Sequence, residues 1–432
     1  MINLGTDMRV LAIIIFVATY GLIMSNKIHR TIAALLGAVA LYVFGVLPDG
    51  MKIFTDIIDW DALGLMFGMF IMVGALRESG FFRWIGINTL RAAKFDIIKI
   101  FLLFSALTTL LSAFMGSITV MLFMASLTLD VCAMMGINPI PFIISEICCS
   151  NIGGSATMMG DPPNIIIGAG CNLTFGDFLT NTAIIAVIAF AADIIFFYFW
   201  YRKELKGSAK KDTKELEKMK ASEAITDKRL MIAGICSFVL TIILLTVYQQ
   251  IGLSVGFVGI IGALFVLVAG GSKMPEVIEK VDWLTLIFFA GLFIVIGGLE
   301  ETGVITIAAS YISQMKGGLL AISMVILWLS AYVSAFVDNV PLAATMVPMI
   351  KMIAGGNAAH LDTLAWSLAI GTDIGGNATP IGASANVVGL AIAEKSGYRV
   401  SWGYYCKVGF ISMTIAIAVS ALIIWLRYFV FA

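Results

Sequence analysis

The chain has 432 residues, 60% of them apolar and only 12% charged, with 27 basic residues balancing 27 acidic ones and a mean hydropathy of +1.01. Soluble domains carry about 25% charged residues, so the composition excludes a large soluble enzyme and indicates an integral membrane protein. Balanced charge likewise excludes a basic nucleic-acid-binding surface.

Apolar segments are predicted, in chain order, over 8–24, 31–47, 61–76, 97–114, 118–136, 140–171 and 178–200. The first of them has only Arg9 ahead of its apolar run and no small-residue cleavage site, so it is expected to be an uncleaved span. A polar stretch, 201–229, follows with ten Lys/Arg and six Asp/Glu, a density that suits a solvated linker. Apolar segments resume over 230–248, 255–270, 283–299, 318–335, 342–354, 363–394 and 403–430.

The two series repeat each other. Asp59-Trp60 matches Asp282-Trp283, and Gly68, Gly74, Leu76, Glu78 and Gly80 match Gly291, Gly297, Leu299, Glu301 and Gly303, all 223 residues apart. Ser112-Ala113-Phe114 matches Ser334-Ala335-Phe336 at 222. Three stretches in one order at nearly one spacing indicate a tandem duplication. Placing Lys27 and Arg30 in the cytoplasm puts 22 of the 27 basic residues there, the exceptions being Arg9, Lys52, Lys316, Lys351 and Arg427. Each half then crosses an odd number of times, so the halves are inverted and both termini fall outside.

The pairs 97–136 and 318–354 read either as two crossings each or as re-entrant hairpins. Their turns hold no Lys or Arg and 342–354 is short for a span, which favours hairpins. The expected architecture is an all-α polytopic membrane protein with two inverted-topology repeats. The first is 1–200 (hairpin 97–136, broken helix 140–171), then the cytoplasmic linker 201–229, then 230–432 (hairpin 318–354, broken helix 363–394). Together they give about ten transmembrane helices plus two hairpins and two broken helices.

The strongest functional signal lies inside the two broken helices. Asn151-Ile152-Gly153-Gly154-Ser155-Ala156-Thr157 through Asp161-Pro162-Pro163-Asn164 is echoed by Asp373-Ile374-Gly375-Gly376-Asn377-Ala378-Thr379 through Asn386. Unwound backbone at membrane depth requires burial in protein or a wet cavity, and a matched pair of interruptions points to a transporter site. The candidate substrate or ion ligands are Ser112, Ser117, Asn151, Gly153, Gly154, Ser155, Thr157, Asp161, Asn164, Ser334, Asp338, Asn339, Asp373, Gly375, Gly376, Asn377, Thr379 and Asn386. Within these, Asp338, Asn339, Asp373, Asn377 and Thr379 are the Na⁺ candidates, and Glu146, Asp338 and Asp373 the proton-coupling candidates. Intramembrane acids cost about 2.5–3.5 kcal/mol on insertion scales and so mark function. No Lys or Arg falls within either interruption or tip, which predicts an acid-rich core without a fixed cation and Na⁺ or H⁺ as coupling ion. The second tip carries Asp338-Asn339 where the first has Gly116-Ser117, so the tighter ion site is expected in the second half.

Other readings carry less. Asp130 and Asp193 lie nearer the cytoplasmic ends, where they either reach headgroup water or join the intramembrane acids, and His29 and His360 are expected in loops. Six cysteines lack zinc or disulfide spacing, although Cys148-Cys149 precede the first interruption and offer thiols for arsenite. Gly259-Ile260-Ile261-Gly262 is expected to be a helix-packing face. No ATP-binding motif and no cofactor motif are present, so energy is expected from an ion gradient. Asp338 and Asp373 could pose as a protease dyad, but their setting in duplicated, glycine-broken elements argues against it.

The run Leu111-Ser112-Ala113-Phe114 through Gly153-Gly154-Ser155-Ala156-Thr157 and Gly160-Asp161-Pro162-Pro163-Asn164, with Ser334-Ala335-Phe336-Val337-Asp338-Asn339-Val340-Pro341, resembles the arsenite-permease/NhaD-antiporter/P-protein family of the ion transporter superfamily. That resemblance implies a homodimer with scaffold and moving transport domains, elevator-type alternating access, and a prokaryotic plasma-membrane setting. It implies a small inorganic ion or small anion as cargo: Na⁺ against H⁺, arsenite or antimonite, or citrate. Gly116-Ser117 departs from the Asp-Asn that P-protein-like members often carry at the first tip, so a first-half carboxylate would have to come from Asp161 or Glu146.

Overall fold

A computed structural model describes residues 4–25, 27–206 and 220–431; the middle of the charged linker, 207–219, lies outside the described residues. Every regular element among the described residues is helical, and seven helices are long and apolar enough to cross a membrane. The first series runs Leu4–Ser25, Arg30–Val43, Trp60–Glu78, Phe81–Ala92, Ile97–Ser112, Ser117–Met135, Ile140–Gly154, Pro162–Cys171 and Thr182–Trp200. The second runs Lys228–Val247, Val255–Gly270, Trp283–Glu301, Val304–Ser313, Gly318–Ser334, Asn339–Ala354, Ala358–Gly375, Ser384–Lys395 and Trp402–Trp425.

The repeated Asp-Trp pairs are helix starts. Asp59 Oδ1 accepts the Ala62 N–H at 2.9 Å and Asp282 Oδ1 the Thr285 N–H at 3.0 Å, closing the first turn of each span. The adjacent indoles donate backward, Trp60 to Phe54 O at 2.6 Å and Trp283 to Ile278 O at 3.2 Å. At the other end of each span, Gly80 and Gly303 take positive φ, 80° and 74°, a conformation that costs a Cβ-bearing residue energy. Those turns launch Phe81–Ala92 and Val304–Ser313, two short helices absent from the expected series. The first is amphipathic, burying Phe82, Gly86, Ile87 and Leu90, a spacing that shows only when charged residues are read on their own face.

The helices form two bundles. Leu4–Ser25, Arg30–Val43, Trp60–Glu78, Lys228–Val247, Val255–Gly270 and Trp283–Glu301 pack on one another as a span bundle. The hairpins, the broken helices, Thr182–Trp200 and Trp402–Trp425 form a hairpin bundle. Exchanging the halves preserves the neighbours: Arg30–Val43 packs on Trp283–Glu301 as Val255–Gly270 packs on Trp60–Glu78, and Ser117–Met135 packs on Ser384–Lys395 as Asn339–Ala354 packs on Pro162–Cys171. In the span bundle a Cβ on Gly68 would stand 2.1 Å from Gly259 O, so Gly259-Ile260-Ile261-Gly262 is a packing face.

The hairpin arms have 16, 19, 17 and 16 residues. At about 1.5 Å per residue, most fall short of a hydrocarbon core of about 30 Å. Thr157 Oγ1 donates to Ala113 O and Thr379 Oγ1 to Ala335 O, so each turn lies against the middle of its own broken helix. Each turn is therefore held where its broken helix unwinds.

Candidate ion-binding site

The two interruptions are built alike. Asn164 donates its amide to Gly154 O and Thr157 O, both at 2.9 Å. Asn386 does the same to Gly376 O and Thr379 O, both at 2.7 Å. These bonds, with the two threonine hydroxyls, hold carbonyls that a helix would have paired internally. Ser155 donates to Ile152 O at 2.7 Å and Ser334 to Thr372 O at 2.5 Å. Ser112 pairs with Ser150 at 2.7 Å. Thr157, Thr379, Ser155 and Ser334 thus direct their hydroxyl hydrogens at backbone and first of all shape the site. Glycine allows close approach: a Cβ on Gly153 would lie 2.2 Å from Thr109 O, and one on Gly375 2.5 Å from Ala331 O. Gly154 and Gly376 face Asp161 and Ala383 at 3.2 and 2.9 Å in the same sense.

Between the interruptions sits a buried polar chain. Asp161 Oδ1 accepts from Ser117 N at 3.3 Å and Ser117 Oγ at 2.8 Å, and its Oδ2 from Asn339 Nδ2 at 3.0 Å. The same Asn339 Nδ2 donates to Asp373 Oδ1 at 3.2 Å. Asn151 Nδ2 reaches Asn377 Oδ1 at 2.9 Å and Asn386 Oδ1 at 3.0 Å, joining the halves. All of these side chains are buried. Asp161 thus supplies the first tip with the carboxylate that Gly116 lacks, and both tips converge on it.

One expectation fails at the second tip. Arg30, 308 residues away in sequence, places Nη1 3.3 Å from Asp338 Oδ2. Asp338 is therefore paired with a cation, whereas the deeper Asp161 and Asp373 bond Ser117 and Asn339. Nothing near the tip in sequence reveals Arg30; its position as the first residue of an apolar helix is the only signal. Asp338 bonds Arg30 and Ser384, whereas Asp373 bonds Asn339.

The other acids also differ from expectation in part. Asp193 is fully buried and accepts from Ser412 Oγ at 3.0 Å, while Asp130 is exposed. Glu146 accepts from Thr128 Oγ1 at 2.6 Å, deep inside the hairpin bundle. His29 caps Arg30–Val43 through Nδ1. Cys148 and Cys149 are free and buried, and neither lines the cavities described next.

Two cavities flank the seam between the bundles. The smaller, about 240 Å³, reaches Gly116, Ser117 and Asp161, has a wall of Met66, Met69 and Phe70, and is rimmed by Arg77 and Lys280 together with Asp282. The larger, about 830 Å³, is rimmed by Asp56, Asp59, Asp61, Glu300, Glu301 and Lys351. Ile165 lines the first and Ile166 the second. Adjacent residues of Pro162–Cys171 thus face the two cavities.

With that geometry in place, similarity to known proteins decides the family. The citrate transporter family model matches residues 20–371. The chain belongs to that family. Relatives of this family member include an uncharacterised transporter of Mycobacterium tuberculosis, 37% identical over 98% of this chain and 99% of that protein. Another is a 46 kDa membrane protein of Mycobacterium leprae, 34% identical over 98% and 100%. The human P protein is 27% identical over 95% of this chain, but only 59% of its own length is covered. Among solved structures, MtrF of Neisseria gonorrhoeae, described as illuminating a class of antimetabolite efflux pumps, superposes with a TM-score of 0.59 at 15% identity, covering 98% and 94%. The YdaH transporter of Alcanivorax borkumensis gives 0.54 at 13%, covering 91% and 89%. The chain is a multi-pass membrane transporter of this class.

Proposed function

We propose that the chain is a cation-coupled secondary transporter, and that Na⁺/H⁺ exchange is the reaction its site supports best. One observation carries this reading. In the repeat, Asn151 and Asn386 of one pair correspond to Asp373 and Asn164 of the other, 222 residues displaced. Asn151 and Asn386 are donor and acceptor, whereas Asp373 Oδ2 and Asn164 Oδ1 are buried acceptors with no partner. Asp373 also shares its one donor with Asp161. Two neighbouring carboxylates and an amide oxygen, without a basic group, favour a proton or a hard cation. Taking up one and releasing the other at one place is the elementary step of exchange. Ions would enter through the basic-rimmed cavity on the cytoplasmic side. Displacement of the hairpin bundle past the span bundle would then open the site to the acidic-rimmed cavity.

On this reading the halves are inverted repeats, the linker 201–229 faces the cytoplasm of a prokaryotic cell, and the protein works as a homodimer by an elevator mechanism. The test uses purified protein in liposomes with an entrapped pH dye. An inward Na⁺ or Li⁺ jump is expected to alkalinise the lumen, and Asp373→Asn to abolish the response. Arsenite and citrate uptake run beside it. If neither alkali ion moves protons while arsenite or citrate is carried, the exchange reading is lost.

A further inference from the structure

We infer that Arg30 is a positioning residue for transport: a latch that ties the second hairpin tip to the span bundle and favours the conformation in which the site meets the basic-rimmed cavity. Arg30 begins the Arg30–Val43 helix. Its Nη1 donates to Asp338 Oδ2 at 3.3 Å and to Ser384 Oγ at 3.1 Å, both in the hairpin bundle. Its Nη2 donates to Thr285 Oγ1 at 3.2 Å, and its guanidinium lies over the Phe288 ring at 5.2 Å, both in the span bundle. Thr285 in turn donates to Asp282 at 2.6 Å, which fixes the acceptor. One planar, multiply donating group thus grips both bodies at once, a role that a point-charge ammonium fills poorly.

A second contact crosses the seam three residues further on. Tyr20 of the span bundle donates to Pro341 O at 2.9 Å and pairs with Thr345 Oγ1 at 2.9 Å. The first tip has no equivalent, because Gly116 stands where Asp338 would be. Restraint at one tip only biases a two-state movement in one direction. Hydrogen bonds fail beyond about 3.5 Å, so displacement of one bundle by even one helical turn breaks both Arg30 bonds to the hairpin bundle, to Asp338 and Ser384, while Thr285 and Phe288 move with Arg30. The pairing also separates two roles: Asp338 serves the latch, leaving Asp161 and Asp373 to the ion. The latch rests on the two-bundle movement proposed above but not on the identity of the cargo.

The experiment reads conformation directly. In full-length protein in nanodiscs, with Cys236 and Cys406 replaced by Ser, Phe70→Cys places a thiol on the half-buried wall of the basic-rimmed cavity. Arg30→Gln and Asp338→Asn are each expected to slow maleimide labelling about five-fold or more, in the range of typical conformational couplings. The exchanged pair Arg30→Asp with Asp338→Arg should restore the rate to within about two-fold. If Arg30→Gln does not fold, Asp338→Asn with Ser384→Ala weakens the hairpin-side grip while keeping the guanidinium. Labelling rates that stay unchanged in these variants overturn the latch. So does a rise of about ten-fold in the half-saturating cation concentration of Asp338→Asn, since that would make Asp338 an ion ligand. A chain that carries no alkali cation at all would still give the labelling result, so the two proposals fail separately.

Discussion

The asymmetry between the repeats is carried by single substitutions. Asp161 stands where the second half has Ala383, Asn339 where the first has Ser117, and Asp373 where the first has Asn151. These changes set an acid at one break and an acid on the opposing helix end, with Asn339 bridging them. Asp373→Asn tests the consequence. It keeps the Oδ1 acceptor for Asn339 and converts the unpartnered Oδ2 into a donor that Asn164 Oδ1 can accept, as Asn386 accepts from Asn151. Melting temperature is therefore expected to hold or rise, since a buried polar atom left without a partner is costly and the variant supplies one. Ion-driven proton movement is expected to fall about ten-fold or more, equivalent to about 1.4 kcal/mol. A lower melting temperature with flux retained would sink this account of the pair. Asn339→Asp should be more severe, because it sets three carboxylates together, and its activity should return partly as pH is lowered.

At the scale of elements, spans, interruptions and duplication were legible because each leaves a local signature: long apolar runs, Gly-Gly with polar residues, and matched Asp-Trp starts. Phe81–Ala92 and Val304–Ser313 were not, since each is too short to stand out as an apolar run of spanning length. Arg30 at Asp338 was not legible either, because only the fold brings residues 308 positions apart together. The close crossing at Gly68 is expected to tolerate no side chain. Gly68→Ala would press a Cβ into Gly259 backbone, with no flexible atom to yield, at about 1–3 kcal/mol for overpacking. Thermal unfolding in detergent checks it, and Gly21→Ala, whose Cβ would meet nothing, is the control. The linker end gives a pH prediction. Asp227 Oδ1 accepts the Leu230 N–H at 3.0 Å, and Oδ2 meets Lys273 Nζ at 3.0 Å. The backbone bond first, then Lys273, holds its carboxyl below the usual 3.8. A depressed carboxyl contributes stability above its unfolded value, and that contribution is lost as pH falls through the folded one. Asp227→Ala should lower the melting temperature more at about pH 7 than at about pH 3. An equal loss at both pH values would contradict the charge-based cap.

Among the described residues, two bundles meet along a seam lined by two cavities, with Ile165 facing one and Ile166 the other. Within each bundle the contacts are backbone-close, as at Gly68 on Gly259 and Gly375 on Ala331. Across the seam, among the described residues, polar ties are carried by the side chains of Arg30 and Tyr20, and by Gln249 donating to Asn172 O at 2.7 Å. Close-packed interiors move as units rather than deform, so the seam is where relative motion costs least. The duplication accounts for this division, since each bundle is assembled from equivalent parts of both halves and a swap of halves leaves it intact. A tether across the seam should therefore stop transport without unfolding either bundle. Tyr20→Cys with Thr345→Cys places thiols at a contact of 2.9 Å between native side chains. Bridging them with a short flexible bis-maleimide should reduce cargo flux by about ten-fold or more, equivalent to about 1.4 kcal/mol, while either single cysteine treated alike keeps its rate. Full flux through the bridged protein would mean that the two bundles do not slide past each other. Transport would then have to be explained by movement of the hairpin tips alone.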